Sequence, residues 1–299
     1  MTLRQLQYVV AIAEKTTMSE AAESLFISQP SLSAAVKDLE AEMNITIFNR
    51  TNKGIGISKE GDEFLGYARQ VLEQAELLEN RYKKTDLRTQ RFSVSTQHYS
   101  FAVNAFVDVI KSYQGSRYDF ILRETQTNEI IEDVRLLKSE IGLLYLCSTN
   151  EKIIRKLIVS NGLKYTELFT AAPHVFISSK HPLAKCSTIT LEQLEEYPYL
   201  SFEQGDYNSF YFSEEILSTI GRRKNIKVRD RATLFNLVIG LNGYTVSTGI
   251  ISRELNGAEI IARPLSVHEY MTIIAIKQSS IPLSSFGEKY MTALKKHIG

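Results

Sequence analysis

The chain has 299 residues, 43% hydrophobic and 23% charged, and a formal net charge of +1. That size and composition suit a soluble globular protein of about two domains, and the near-neutral balance excludes a uniformly basic protein that coats nucleic acid, so affinity for DNA must come from local placement of charge. No apolar run approaches the roughly 18–20 residues that cross a bilayer, and Met1-Thr2-Leu3-Arg4-Gln5-Leu6 is no signal peptide, so the expectation is a cytoplasmic protein with no membrane partner.

Residues 1–58 read as three short helices and a hairpin. Leu3, Leu6, Val9, Val10 and Ala13 recur at helical spacing, and after a break at Glu14-Lys15-Thr16-Thr17 so do Met18, Ala21, Ala22 and Leu25. Phe26 and Ile27 fill a turn. Ser28 is a strong N-cap for a third helix, and Pro30 in its first turn forfeits an N–H the helix could not use there. Leu32, Val36 and Leu39 share one face. At about 100° per residue, Pro30, Ala34, Lys37 and Ala41 fall opposite, with Ser33 at the edge. This small outward face suits a helix lying in a groove about 12 Å wide. Gln29 can offer its amide to adenine as a bidentate pair, Pro30 can meet a thymine methyl, and Ser31 and Ser33 can bond bases or phosphates. Lys37 suits a phosphate or guanine. A capped surface helix in a small bundle would explain the same helix taken alone.

Ile45, Ile47 and Phe48 read as a short strand, Asn49–Gly54 as a turn, and Ile55 and Ile57 as the returning strand. The hairpin is a wing whose Arg50 and Lys53 can touch phosphates or the minor groove. Against this stands the charge of residues 1–60: six cations and seven anions, a net of −1. One such head binds DNA modestly and with strong salt dependence. Ser58 then caps a long helix over residues 59–84. Its apolar positions step by three and four for about three heptads and it spans roughly 40 Å. It has no evident partner in the first 60 residues, so a second copy of the chain is the natural candidate, with packing on its own C-terminal part as the alternative.

Residues 85–91 are a polar linker. Beyond them strands at 92–95, 118–123, 141–146, 175–178, 199–202, 244–247 and 271–276 alternate with helices at 102–112, 130–138, 210–220, 232–240 and 284–297. That alternation implies parallel βαβ units with clefts at the strand ends.

Several motifs resemble the LysR-type transcription regulators: Ala21-Ala22 with Leu25, Ile27-Ser28-Gln29-Pro30-Ser31-Leu32-Ser33, Leu39-Glu40, Phe48-Asn49-Arg50-Thr51 and Ile57-Ser58-Lys59-Glu60-Gly61. Their order and spacing match across residues 21–61. Further on, His181-Pro182-Leu183-Ala184 matches a tetrapeptide common in the family, while Ile239-Gly240-Leu241-Asn242-Gly243-Tyr244 departs from the usual Gly-x-Gly form. The resemblance implies a winged helix-turn-helix (1–58) and a linker and dimerisation helix with hinge (59–90). It implies next an effector domain (91–299) of two Rossmann-like subdomains, like a periplasmic binding protein. The first covers about 91–162 and 269–299, the second about 163–268. It also implies a homodimer or homotetramer joined through the long helices, with double-stranded operator DNA and a small-molecule effector as partners.

Thr96-Gln97-His98-Tyr99 follows the first strand of that domain and precedes a helix, where free N–H groups can receive an anion. Gln204 follows the strand at 199–202, and Arg231 and Thr233 follow another strand end. The family position after the second strand falls on Thr127. Ordinary loop capping would account for each of these singly. Thr96–Tyr99, with Asp230-Arg231-Ala232-Thr233, is similar to members that govern sulfur and amino-acid supply, whose inducers are small precursors or anions. Cys147 and Cys186 read as reduced, unpaired thiols. The five histidines make no metal-spaced group and no catalytic motif occurs, so neither catalysis, a metal nor a cofactor is expected. The competing reading is a small-molecule binding protein or enzyme using the α/β cleft, with the N-terminal region serving oligomerisation.

Overall fold

The computed structural model describes the chain except residues 16, 52–53, 83–88, 206–208, 253–256 and 299, and side chains at 50, 51, 54, 77 and 80–82. Lys53 and most of the expected polar linker at 85–91 therefore lie outside the described residues. The chain divides into two units, Met1–Arg88 and Thr89–Gly299.

In the first unit, α1 (Leu3–Ala13) opens on a capping box in which Thr2 and Gln5 satisfy each other's backbone N–H groups. Thr17 caps α2 (Met18–Ser24) and Ser28 caps α3 (Gln29–Met43). The apolar steps of these helices meet in one core that includes Leu6, Val9, Ile12, Ala21, Leu32, Val36 and Leu39. The hairpin pairs β1 (Phe48–Thr51) with β2 (Gly54–Ile57), Phe48 opposite Ile57 and Thr51 opposite Gly54. The expected turn over Asn49–Gly54 is thus too wide, because the ladder runs on to Thr51 and makes Asn49 and Arg50 strand residues. Ile45 and Ile47 precede the strand. Buried Ile47 and half-buried Phe48 both donate their N–H to Glu40 Oε1, at 2.6 and 3.0 Å.

The long helix α4 (Lys59–Tyr82) corrects one expectation. It does have a partner in the first 60 residues: Leu65 and Ala68 are buried, with Phe64 and Leu72 half-buried, in the core formed with α1. Gly61 allows the approach, since a Cβ there would stand 2.1 Å from the Ile47 carbonyl oxygen. The other side of α4 leaves Tyr67, Val71 and Leu78 exposed, at 60%, 41% and 63%.

The second unit holds a five-stranded sheet in the order β4 (Tyr118–Glu124), β3 (Gln90–Thr96), β5 (Ile141–Leu146), β12 (Met271–Gln278), β6 (Leu163–Ala171). β3 runs parallel to β4 and β5, whereas β12 is antiparallel to both β5 and β6. The sheet is therefore mixed rather than wholly parallel, and β6 puts residues 163–171 with the first subdomain, not the second. β5 is buried throughout. Its Leu143 and Tyr145 enter one core and Leu144 and Leu146 another on the opposite face, as a period of two requires. A side chain at Gly142 would collide with Ile130 and Ile276 at 2.7 Å. Helices α5 (Ser100–Ser112), α6 (Thr127–Arg135) and α7 (Glu151–Ser160) follow β3, β4 and β5.

The remaining part has an antiparallel sheet of β10 (Thr245–Ser247), β7 (His174–Ser178) and β11 (Ile260–Pro264), and a parallel pair of β8 (Tyr199–Phe202) and β9 (Asn225–Val228). With them come α8 (Leu191–Leu194) and α9 (Arg231–Gly240), and α10 (Ser285–His297) closes the chain against α5. The expected helix at 210–220 is instead a single 3-10 turn, Phe210–Phe212, followed by residues in neither helix nor strand. Burial of Glu214, Glu215 and Ile216 side by side defeats the one-sided burial a surface helix needs. In the tetrapeptide at 181–184, His181 Nδ1 accepts the Leu183 N–H at 3.0 Å, so its Nε2 carries the proton toward the Asn242 carbonyl at 3.1 Å. Asn242 takes φ +49°, which an Asn tolerates. The next residue is glycine because a Cβ at 243 would meet Leu200 at 2.4 Å.

Candidate nucleic-acid interface and ligand cleft

The first candidate site is one face of α3. Pro30, Ala34, Lys37 and Ala41 are all exposed, and Leu32, Val36 and Leu39 are buried beneath them. Ser28 and Ser31 are exposed and their hydroxyls lie 2.8 Å apart, while the Ser28 hydroxyl also accepts the Ser31 N–H. Ser33 is half-buried at the edge. Gln29 is exposed, and Ser19 of α2 donates to its Oε1 at 3.1 Å. That bond orients the amide while leaving its N–H₂ group and a second oxygen lone pair for another partner. The structure thus gathers Ser28, Gln29, Pro30, Ser31 and Lys37 on the exposed start of one helix. Arg50 has its backbone in β1, and Lys53 lies outside the described residues. Leu39, Glu40 and Gly61 of the same motifs serve packing and the seating of the hairpin.

The second candidate site lies where the two parts of the second unit meet, beyond the ends of β3, β4 and β8. Thr96, Gln97 and Thr127 are all 0% exposed and bond one another rather than facing open space. The Thr96 hydroxyl donates to the Gln97 carbonyl at 2.8 Å, and Gln97 Nε2 donates to the Thr127 hydroxyl at 2.6 Å. Gln97 Oε1 accepts from the Tyr99 hydroxyl at 2.8 Å and from the Tyr145 N–H at 3.0 Å. This network is the floor of the cleft.

Three polar contacts close the cleft from side to side. Thr127 N–H donates to Gln204 Oε1 at 3.2 Å. His98 Nδ1 lies 2.8 Å from Glu214 Oε2, with both side chains only 5% exposed. Arg231 Nη2 lies 3.1 Å from Glu124 Oε1. The His98 ring stacks on Phe202 at 3.7 Å and 5°. Burial pulls the His98 imidazole down, but Glu214 first, with smaller help from Glu124 and the Arg229 backbone, turns the net shift upward. Burial pushes the Glu124 carboxyl up despite Arg231, and pushes Glu215 well up, reinforced by Glu214. Thr233 sits apart: it is exposed, and its N–H is spent on Asp230 Oδ1 at 2.8 Å, capping α9.

The structure therefore brings together Thr96, Gln97, His98, Tyr99, Thr127, Gln204 and Arg231, and leaves Thr233 outside. It adds Glu124, Phe202, Glu214 and Glu215, which sequence reasoning missed. Glu124 ends β4 three residues before Thr127, so adjacency could have flagged it. Two adjacent glutamates in a stretch read as a helix carried no such signal. Among the described residues no group of histidine, cysteine and carboxylate side chains is arranged to hold a metal ion, and no helix is long and apolar enough to cross a membrane.

Comparison with known proteins bears on both sites. Residues 3–62 match the model of the bacterial regulatory helix-turn-helix protein, lysR family, and residues 100–280 match the LysR substrate binding domain. The chain is 26% identical over 274 residues to the Hca operon transcriptional activator HcaR of Escherichia coli, covering 89% of this chain and 88% of that protein. It is 27% identical over 256 residues to the HTH-type transcriptional regulator AlsR of Bacillus subtilis, covering 84% and 78%. Among solved structures, a full-length OxyR variant from Pseudomonas aeruginosa is similar at a TM-score of 0.69 and 20% identity, covering 99% of this chain and 98% of that one. Full-length CbnR in complex with its target DNA is similar at a TM-score of 0.59 and 17% identity, covering 99% and 100%. At these identities the two structures speak to the fold.

Proposed function

The chain belongs to the LysR family of bacterial helix-turn-helix regulators, and from that premise we propose that it reads operator DNA through α3 and the hairpin and takes its effector in the cleft around His98. It is a DNA-binding transcription regulator and not an enzyme. The observation that carries the DNA reading is the face of α3: Gln29, Pro30, Ser31 and Lys37 exposed over buried Leu32, Val36 and Leu39. Gln29 supplies base readout, Ser28, Ser31 and Ser33 bond bases or phosphates, and Lys37, Arg50 and Lys53 supply phosphate contacts. A DNA target puts its site of action in the cytoplasm.

A head with a net charge of −1 over residues 1–60 needs a second copy to double its contacts. The exposed stripe of Tyr67, Val71 and Leu78 on α4 fits a homo-oligomer joined there. The effector reading rests on Thr96, Gln97, His98, Tyr99, Thr127, Gln204 and Arg231 converging from both sides of one cleft. The deciding experiment is a mobility shift on the promoter upstream of the chain's own gene. A shift at low salt that weakens steeply with added salt is expected. No shift, with or without candidate effectors, would sink the DNA reading.

A further inference from the structure

We infer that Glu214 is a built-in occupant of the cleft, a tethered carboxylate seated where a small carboxylate ligand binds, so that the ligand enters by displacing it. The inference rests on the reading of this cleft as the effector site and adds the ligand's class and its mode of entry.

Glu214 is held as a bound carboxylate would be. Its Oε2 accepts the His98 backbone N–H at 3.2 Å and His98 Nδ1 at 2.8 Å, and its Oε1 accepts Gln204 Nε2 at 3.4 Å. A backbone N–H, an imidazole and an amide N–H₂ form the kind of convergent donor set that receives an ionised carboxylate. The donors are fixed without Glu214: His98 by its stacking on Phe202, and Gln204 by the Thr127 N–H.

Charge identifies the ligand as an anion. His98 Nδ1 lies 2.8 Å from Glu214 Oε2 with both side chains only 5% exposed, and the net shift of the imidazole is upward, toward its charged form. The other charged groups nearby are accounted for. Glu124 is matched by Arg231, and Arg229 by Glu203. Asp230 caps α9, and burial pushes the Glu215 carboxyl well up, toward its neutral form. Glu214 is the carboxylate in direct contact with His98. Remove it, and a buried cation is left uncompensated, at a cost that a small anion can relieve. Arg231 adds a donor for the remainder of the ligand, since its Nη1 is buried without a hydrogen-bond partner.

Exchange is mechanically open. Residues 213–220 belong to no helix or strand, so Glu214 can leave without breaking a ladder. It would also release one of the clasps between the two sides of the cleft, which links ligand entry to a change in closure.

The test uses full-length Glu214→Ala in carboxylate-free buffer, with acetate as the probe because it replaces the deleted CH₂ and carboxylate. The variant should melt below the parent chain and recover with acetate, which by calorimetry binds it about tenfold or more tightly than it binds the parent. Acetamide, equal in shape but neutral, should fail, and adding His98→Ala should abolish the acetate response. No response, an equal response to acetamide, or an equal response in the parent would overturn the inference. Should the alanine variant not fold, Glu214→Gln serves. Its neutral amide holds the imidazolium less well, so acetate should bind it more tightly than the parent, and equal binding would overturn the inference. Acetate recovery without any change in operator affinity would instead leave this site intact and count against the effector reading.

Discussion

Arg231 and Glu124 face each other across the cleft, guanidinium Nη2 3.1 Å from carboxylate Oε1, one opening α9 and the other ending β4. Burial holds Glu124 above the ordinary carboxylate range, and Arg231 is the largest influence opposing that rise. A carboxyl with a raised folded value contributes stability that is full below its unfolded value and is lost as pH climbs through the folded one. Arg231→Ala raises the folded value further and steepens that loss. The variant should sit near the parent at pH 4 and fall about 1–2 kcal/mol below it by pH 7. This is less than the roughly 3–5 kcal/mol of a fully buried broken pair, because the side chains keep 17% and 24% exposure. Adding Glu124→Gln should restore most of the difference. Melting curves against pH decide it, and a gap that ignores pH would refute the assignment.

Glu215 makes a cleaner case because one atom suffices for its structural role. Its Oε1 accepts the Phe202 N–H at 2.8 Å, a bond a glutamine oxygen keeps. Burial first, then Glu214, pushes its carboxyl well up. The parent therefore loses stability as pH rises above the ordinary glutamate value of about 4.3. Glu215→Gln escapes that loss and should be the more stable chain at pH 7 by about 1–3 kcal/mol. His98, also shifted upward, adds a further fall above about pH 6.5 that both chains share. Denaturant midpoints at pH 5 and 7 measure the difference, and a variant less stable at both values would mean Glu215 is held ionised.

The first unit was legible in its sequence because its signals are local. The steps of Leu32, Val36 and Leu39 mark one buried face, and Ser28 with Pro30 marks a helix start. Half of the cleft was legible for the same reason, since Thr96–Tyr99 and Arg231 stand at strand ends. Glu214 was not. It owes its burial to His98, 116 residues away, and no short window separates it from a solvated helical acid. β6 escaped notice because an edge strand keeps polar residues such as Lys164, Thr166 and Glu167 among its apolar ones. The apolar positions of α4 misled differently: they cover two faces, one buried on α1 and one exposed, and periodicity counts both.

That exposed face of α4 gives a prediction about assembly. At about 100° per residue, Tyr67, Val71 and Leu78 fall within one narrow stripe, away from buried Leu65 and Ala68. Leu78→Asp introduces a charge on this stripe without touching the core. It should halve the mass seen by light scattering at micromolar concentration and weaken operator binding, while the melting of each unit changes little. An unchanged mass would place the oligomer interface elsewhere.

The last prediction concerns Gln29, whose side chain serves two partners in turn. Ser19 donates to its Oε1 at 3.1 Å, which fixes the amide at the exposed start of α3. An adenine that donates N6–H to the same oxygen and accepts at N7 completes the set. Gln29→Ala should therefore cost about 1–3 kcal/mol at the operator and relax discrimination at one base pair per half-site. Neither the change nor the loss of Ser19 removes a charge, so the slope of affinity against salt should stay as it is, unlike in Lys37→Ala, where it should flatten by about one unit. Ser19→Ala leaves the amide in place but frees it to rotate, and its loss should be smaller than that of Gln29→Ala at the same base pair. Competition binding against operators substituted one base pair at a time reads all three variants. Uniform weakening across every substituted operator in Gln29→Ala would make Gln29 a positioning contact rather than a reader of sequence.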